Sequence, residues 1–339
     1  MNAFKASLET THYPVMLKEV IKLCSPSKGG NFIDCTFGGG GYTKELLKYS
    51  NTNVISLDRD NFVEKMASIL KKKYKDRFVF FNEKFSNLEK VVDNNIKIDA
   101  IIFDLGVSSF QLSDMKRGFS YKSKERIDMS MGLSSLSAEE VINNYDENHL
   151  KLILKVLGEE KEASKIVKRI IRERKIKKIT KVSELVSIIE KSKKKNYKKK
   201  INVCTKTFQA LRIFVNKEIT ELIEGIIKAT KFVKIGGKII IVSFHSIEDK
   251  VVKFYFNNYS KNKAKPSRYY PEKKEEERIF FDSNRKNLLK PSETEIIKNP
   301  KSRSAKLRFA TRINSEFSFP DELKVKFNKY INLEKKNAQ

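Results

Sequence analysis

A chain of 339 residues, 40% hydrophobic and 33% charged, can bury a substantial core in one large domain or two. Three cysteines and three histidines are too few and too scattered for a disulfide framework or for metal-ligand spacing, no apolar run approaches a membrane span, and the N-terminus lacks a signal-peptide core, so a metal-free cytoplasmic protein is expected. The net charge of +28 favours a polyanionic partner through counterion release, with a lysine-rich composition and solvated runs such as Lys193–Lys200 as the competing explanation.

Along the chain, Val15–Cys24 has the spacing of a short amphipathic helix. The stretch Asn31–Tyr42, NFIDCTFGGGGY, then runs an apolar strand into four consecutive glycines. Without Cβ atoms such a turn lets a ligand approach the backbone closely. A candidate helix at Thr43–Tyr49 and a second strand, Val54–Leu57, follow, and the strand ends in Asp58. An acid at that strand tip typically holds the two ribose hydroxyls of an adenosine. A glycine-rich turn with an acid nearby by chance is the plainer reading, but the order strand, turn, helix, strand, acid favours a nucleoside site. Which nucleoside follows from what is missing. Counted from Gly38, the dinucleotide fingerprint fails at Thr43, and no P-loop with its lysine is present. The pattern suits a nucleoside without phosphate, of which S-adenosylmethionine is the commonest example.

Further strands are predicted at Phe32–Cys35, Phe78–Phe81 and Ile98–Asp104, with helices at Asn61–Tyr74 and Asn87–Asn94. This alternation predicts an α/β fold of right-handed βαβ units on a mostly parallel sheet. From about Ser113 to Asn202 only helical patterns appear. Ser137 and Glu140 form a capping box, and helices are expected at Glu147–Leu157, Glu160–Arg174 and Thr180–Lys191. A long helix over Thr205–Phe232 leads through Gly236-Gly237 into a strand at Lys238–Phe244. The expected organisation is therefore a sheet domain (residues 1–112 and 205–339) interrupted by a helical substrate-recognition insert (residues 113–204). A flexible basic arm is expected near residues 257–300, and Ala305–Ile313 reads as a closing edge strand.

Ligands of open α/β sheets sit beyond the carboxyl ends of the strands. Asp104 stands at such an end, in IIFDLGVSSFQLS (Ile101–Ser113). Gly106 permits a sharp turn there, and Ser108, Ser109 and Gln111 carry hydrogen-bonding groups. A helix-capping turn is the alternative for that segment. SFHSIED (Ser243–Asp249) brings His245, Glu248 and Asp249 to the same sheet edge.

With HYPVML, FIDCTFGGGGYT, LDRD, FSNL, DLGVSSFQL, RGFSY, IDMSM, GEE, TFQALRIFVN, SFHSIED and NPKSRS standing in order over nearly the whole chain, the sequence resembles the ribosomal RNA small subunit methyltransferase H family. The resemblance implies a class I S-adenosylmethionine-dependent methyltransferase fold, Rossmann-like, with an inserted helical domain. It implies N4-methylation of cytosine 1402 of 16S rRNA at the decoding centre. It also implies cofactor contacts at Gly40, Gly41, Tyr42, Asp58, Phe85, Asp104 and Gln111. Asp104 is in addition a candidate catalytic acceptor for the N4 hydrogens. Ser108, Ser109, His245 and Glu248 are candidate substrate contacts, the expected partner is 16S rRNA or the small ribosomal subunit, and no metal or membrane is called for. A monomer and a homodimer both remain open. Tyr42 stands where the family usually has His, and Phe110 where it has Pro. Two other readings compete: another methyltransferase acting on an exocyclic amine of nucleic acid, whose Asp/Asn-Pro-Pro-Tyr/Phe motif is replaced here by DLGV, and a non-catalytic RNA-binding assembly factor.

Overall fold

The computed structural model describes residues 14–193, 202–260, 278–282, 287–313 and 316–335. Its first stretch alternates as the apolar pattern predicts: α1 (Leu17–Cys24), β1 (Gly30–Asp34), α2 (Gly41–Leu46), β2 (Thr52–Leu57), α3 (Glu64–Tyr74), β3 (Phe78–Phe81) and β4 (Ile98–Asp104). The helix expected at Asn87–Asn94 is instead a 3-10 segment over Phe85–Lys90, broken at Asn87.

The chain then leaves the sheet for α4 (Ser109–Ser113), α5 (Ala138–Asn144), α6 (Glu147–Leu152), α7 (Ala163–Ile176), α8 (Val182–Ser192) and α9 (Thr205–Asn216). The predicted capping box opens α5: the Ser137 hydroxyl accepts from the Glu140 amide at 3.2 Å, and Glu140 accepts from the Ser137 amide at 2.8 Å. The single long helix expected at Thr205–Phe232 is two helices, because Lys217 adopts a left-handed conformation (φ 50°) between α9 and α10 (Glu218–Phe232). Two features hold that break. Arg212 forks onto Glu218 at 2.8 and 2.9 Å, and the Glu334 carboxylate accepts from the Ile219 and Thr220 amides that open α10. No glycine or proline marks the place, so the pattern of apolar residues runs through it unbroken.

Asn216 ends α9 as a fully satisfied buried carboxamide. Its oxygen accepts from the Met131 amide (2.8 Å) and the Ser134 hydroxyl (2.9 Å), and its nitrogen donates to the carbonyls of Met129 (2.8 Å) and Arg212 (2.9 Å). The IDMSM loop, which turns through Met129 at φ 59°, is thereby fastened to the helix.

The remaining elements are β5 (Val233–Ser243), α11 (Ser246–Asn258), β6 (Phe281–Asp282), β7 (Leu288–Leu289), α12 (Glu293–Lys298), β8 (Lys306–Arg312), α13 (Asp321–Lys326) and α14 (Asn328–Lys335). The sheet order is β3-β2-β1-β4-β5-β8-β6, with β7 also on β8. The first five strands are parallel and β8 runs antiparallel to β5. Two expectations need correction. Gly236-Gly237 lies inside β5, where the register with β4 shifts, rather than before it. β8 is not an edge, because β6 and β7 pair with its outer side. The arm expected at residues 257–300 falls in part on residues 261–277 and 283–286, outside the described residues. Its described parts include the two short strands and α12.

By its internal contacts the chain divides into two compact units. One comprises the residues up to Gly106 with Leu222–Leu323, the other Val107–Glu221 with the residues from Lys324 on. In the first unit β1 and β4 are buried along most of their length, as expected of central parallel strands. Phe37 stacks on Phe78 at a ring separation of 5.9 Å and tilts on Phe80 at 5.2 Å, which packs the glycine turn against β3.

Replacing Asn216 with alanine leaves the amide of Met131 and the carbonyl of Met129 without these partners inside the second unit. The expected cost is about 2–4 kcal/mol, read as a lower urea midpoint with cofactor-independent loss of helix signal. An unchanged midpoint would mean that the IDMSM loop is held by its own contacts.

Candidate functional site

The site grows from the carboxyl ends of β1, β2 and β4. Beyond β1 the Cys35 amide still donates to Ile102 of β4, and the Phe37 amide donates to Leu57 of β2, both at 2.9 Å. The chain is thus held between its two neighbouring strands before it turns. At Gly38 the backbone amide donates to Asp58 Oδ2 at 2.7 Å, while the Asp60 amide donates to Oδ1 at 2.9 Å. Two amides therefore aim the Asp58 carboxylate, and each oxygen keeps a lone pair for a further donor. Gly40 has φ 69°, and a Cβ there would lie 2.9 Å from the Phe37 ring. A Cβ on Gly41 would lie 2.0 Å from Cγ of Pro14, so both positions require glycine. The Lys44 ammonium turns back to the Gly39 carbonyl at 2.9 Å and furnishes no phosphate clamp.

Asp34 is a site residue that the sequence reading passes over. It is fully buried at the end of β1, with Oδ2 accepting from the Thr43 hydroxyl (2.7 Å) and Oδ1 from the Thr36 amide (3.2 Å). Thr43 in turn shares a hydrogen bond with Ser56 of β2 at 2.8 Å. The Thr36 hydroxyl accepts from the Asp104 amide at 2.7 Å, linking β1 to β4. Only the word-like run FIDCTF carries these residues, and an acid inside an apolar strand reads there as a simple strand end.

Asp104 is the least satisfied of the three acids. Its Oδ1 is buried without a hydrogen-bond partner, and its carboxyl faces the Tyr42 hydroxyl, whose own proton goes to the Val15 carbonyl. Burial pushes Asp34 up to about 6 and Asp58 up to about 6. Burial, with the Asp34 charge second, holds Asp104 well above the ordinary carboxylate range. Burial also raises the Tyr42 phenol. Phe85 packs edge-on against Phe103 of β4 at 5.2 Å.

At the end of β5 the predicted His245 and Glu248 are engaged in capping α11. His245 Nδ1 accepts from the Glu248 amide at 3.4 Å, and Glu248 Oε2 accepts from the amides of Phe244 (2.8 Å) and His245 (3.2 Å). Asp249 pairs with Lys306 and Arg308 of β8, both at 2.7 Å. Ser108, Ser109 and Gln111 belong to the second unit. There the Ser108 hydroxyl accepts from the Gln111 amide (3.2 Å), and the Gln111 side-chain oxygen accepts from the Ser108 amide (2.8 Å), a capping box on α4. Ser109 is its first residue. The first unit thus brings together Gly40, Gly41, Tyr42, Asp58 and Asp104, with Asp34, Thr36 and Thr43 beneath them.

Comparison with known proteins bears on the family of the chain. The model of the MraW methylase family matches residues 9–313. A protein of Orientia tsutsugamushi (strain Ikeda) named ribosomal RNA small subunit methyltransferase H is 38% identical over 312 residues, covering 91% of this chain and 100% of its own. The protein of the same name from Wolbachia sp. subsp. Drosophila simulans (strain wRi) is 40% identical over 307 residues, covering 90% and 100%. Among solved structures, an rRNA methylase from Streptococcus thermophilus is 11% identical with a TM-score of 0.39, covering 87% of this chain and 95% of its own, a likeness too weak to bear on function.

The buried acids give a pH dependence of known sign. Asp34, raised from 3.8 to about 6, favours the folded state most below about pH 4, and that contribution is lost as the pH rises through about 6. Asp34→Asn removes the ionisation yet keeps a hydrogen-bonding partner for Thr43, since its amide can donate to the Thr43 hydroxyl while that hydroxyl donates to Ser56. Urea unfolding should show the stability of the natural protein falling relative to the variant by about 2–3 kcal/mol between pH 4 and pH 7. A difference that stays constant with pH contradicts a buried, titrating Asp34.

Proposed function

The chain belongs to the MraW methylase family, and from that membership and the site we propose a small-subunit rRNA methyltransferase that transfers a methyl group from S-adenosylmethionine to N4 of cytosine 1402 in 16S rRNA, at the decoding centre. The doubly wound sheet with an antiparallel strand after β5 is class I methyltransferase-like. The observation that carries the cofactor is the acid-lined, phosphate-free end of the sheet. A glycine turn with no lysine clamp and three carboxyls suits a ligand that is cationic and lacks phosphate. The unpartnered Asp104 oxygen is a ready acceptor for a donor or a cation. Asp58 would hold the ribose hydroxyls, and the backbone at Gly40 and Gly41 leaves room for the ligand beside Tyr42 and Phe85. When bound, S-adenosylmethionine supplies a methyl group activated on a sulfonium sulfur.

Cytosine N4 is a poor nucleophile because its lone pair is delocalised into the ring. Alignment and an acceptor for the amino hydrogens are what the protein must add. We assign the acceptor role to Asp104, since a carboxyl held above its usual range takes up a proton more readily than an ordinary carboxylate. Gln111 is proposed as a further cofactor contact, and Ser108, Ser109, His245 and Glu248 as contacts to the RNA. The helical unit and the net charge of +28 fit a nucleic-acid substrate. No helix among the described residues is long and apolar enough to cross a membrane, and Cys24, Cys35 and Cys204 are buried thiols, which fits work on ribosomal RNA in the cytoplasm.

Mass spectrometry of 16S rRNA nucleosides from a strain lacking the protein tests the reading directly: N4-methylation at cytosine 1402 should disappear and return with the cloned gene. Its persistence would refute the assignment. Asp104→Asn keeps size and one acceptor oxygen but loses the charge. Single-turnover transfer at saturating cofactor and RNA should fall about a hundredfold, with a smaller loss of cofactor affinity. Loss of affinity alone, with transfer intact, would leave Asp104 as a cofactor contact only.

A further inference from the structure

Within the second unit one helix gathers unbalanced positive charge on one face. In α7 the cations Lys165, Lys168, Arg172 and Lys175 recur at three- and four-residue intervals and are all exposed. At helical periodicity they fall within an arc of about 80° and extend about 15 Å along the axis. Ala163, Ile166, Val167 and Ile170 are buried on the opposite face. Among the described residues Lys168, Arg172 and Lys175 have no ion-pair partner, and Lys165 has only the half-buried Glu162 at 3.4 Å. The helix is also firmly seated, because Arg174 donates to the carbonyls of Ile142 and Tyr145 at 2.6 and 2.7 Å.

Lysine-rich composition does not account for this face. Two other long helices carry no such surplus, α8 with Glu184 and Glu190 against Lys191 and α10 with Glu218, Glu221 and Glu224 against Lys228 and Lys231, whereas α3, with Lys65, Lys71, Lys72 and Lys73 against Glu64, is the lysine-rich helix against which the face is to be compared. Of the three arginines in α7, Arg172 lies on this face, and arginine is the cation suited to bidentate phosphate contact. A protein partner would call for an apolar or aromatic centre in the patch. The face offers none, its exposed apolar side chain, Ile176, lying at the last residue of the helix. A straight row of long cations without base-reading amides matches the regular phosphates that a helical RNA presents by shape.

We propose that the Lys165–Lys168–Arg172–Lys175 face of α7 docks on the phosphate backbone of a double-helical segment of the RNA substrate, holding it independently of sequence. This rests on the rRNA-methyltransferase reading and names a surface that holds its substrate. The test combines Lys165→Gln, Lys168→Gln, Arg172→Gln and Lys175→Gln in one variant. A control removes the same number of charges from the first unit through Lys18→Gln, Lys22→Gln, Lys71→Gln and Lys72→Gln. Affinity for deproteinised 16S rRNA is measured against salt. The α7 variant should bind at least about tenfold more weakly near 0.15 M salt, and its log–log salt slope should drop by about 2–4. Its melting temperature, its cofactor affinity and transfer at saturating RNA should stay at the natural values. A salt slope and affinity equal to those of the natural protein overturn the proposal. So does an equal loss in the control, which would make net charge sufficient. A loss seen with assembled small subunits but not with the free RNA would point to an acidic protein and would also overturn it. The functional reading fails separately, if the natural protein methylates neither free rRNA nor small subunits.

Discussion

Three carboxyl groups are brought to the ends of three adjacent strands, and the first unit is arranged around keeping them there. Asp34 and Asp58 each receive two hydrogen bonds, from Thr43 and Thr36 and from Gly38 and Asp60. Those donors also fix the path of the glycine turn, because Gly38 can bond Asp58 only if the chain bends sharply after Phe37. Asp104 receives no comparable pair of donors, and burial first, with the Asp34 charge second, holds it well above the usual carboxylate range. A cation bound there would offset these acids, and on the proposed reading the acids that burden the free fold become its means of binding a positively charged, phosphate-free nucleoside.

Much of this was legible in the sequence. A short apolar strand ending in glycines and a second ending in an acid are visible in the order of residues alone, so the turn and the place of Asp58 at a strand tip could be read without coordinates. Asp34 could not. It sits in the strand itself, and only the side chains of Thr43 and Ser56, nine and twenty-two residues further on, turn it into part of the site. The split at Lys217 was hidden for a similar reason: the contacts that hold it come from Glu218 and from Glu334 near the far end of the chain, whereas the apolar periodicity continues through it. His245 and Glu248 read as polar groups at a strand end. Their pairing as a helix cap is visible in retrospect from the three-residue spacing, although histidine is an uncommon capping residue.

The two units divide the physical work. In the sheet unit, buried acids and backbone amides line the candidate site, where burial magnifies each charge. In the helical unit the interior is tied together by Asn216, Glu334 and capping boxes, and the charge is displayed outward on α7. Buried carboxyls suit a small cation that must be desolvated, and exposed lysines and arginines suit a polyanion that releases counterions. On the proposed reading, one chain thereby offers sites to ligands of opposite charge.

The most direct test of the acid-lined site is proton release on cofactor binding. If Asp58 and Asp104 are partly protonated in the free protein because burial raises them, a sulfonium ligand must lower both and expel protons. Titration calorimetry with S-adenosylmethionine near pH 6, repeated in buffers of different ionisation enthalpy, should show on the order of one proton released per molecule bound. Release should be smaller with the neutral product S-adenosylhomocysteine. Heats independent of the buffer at pH 6 for both ligands would contradict the account.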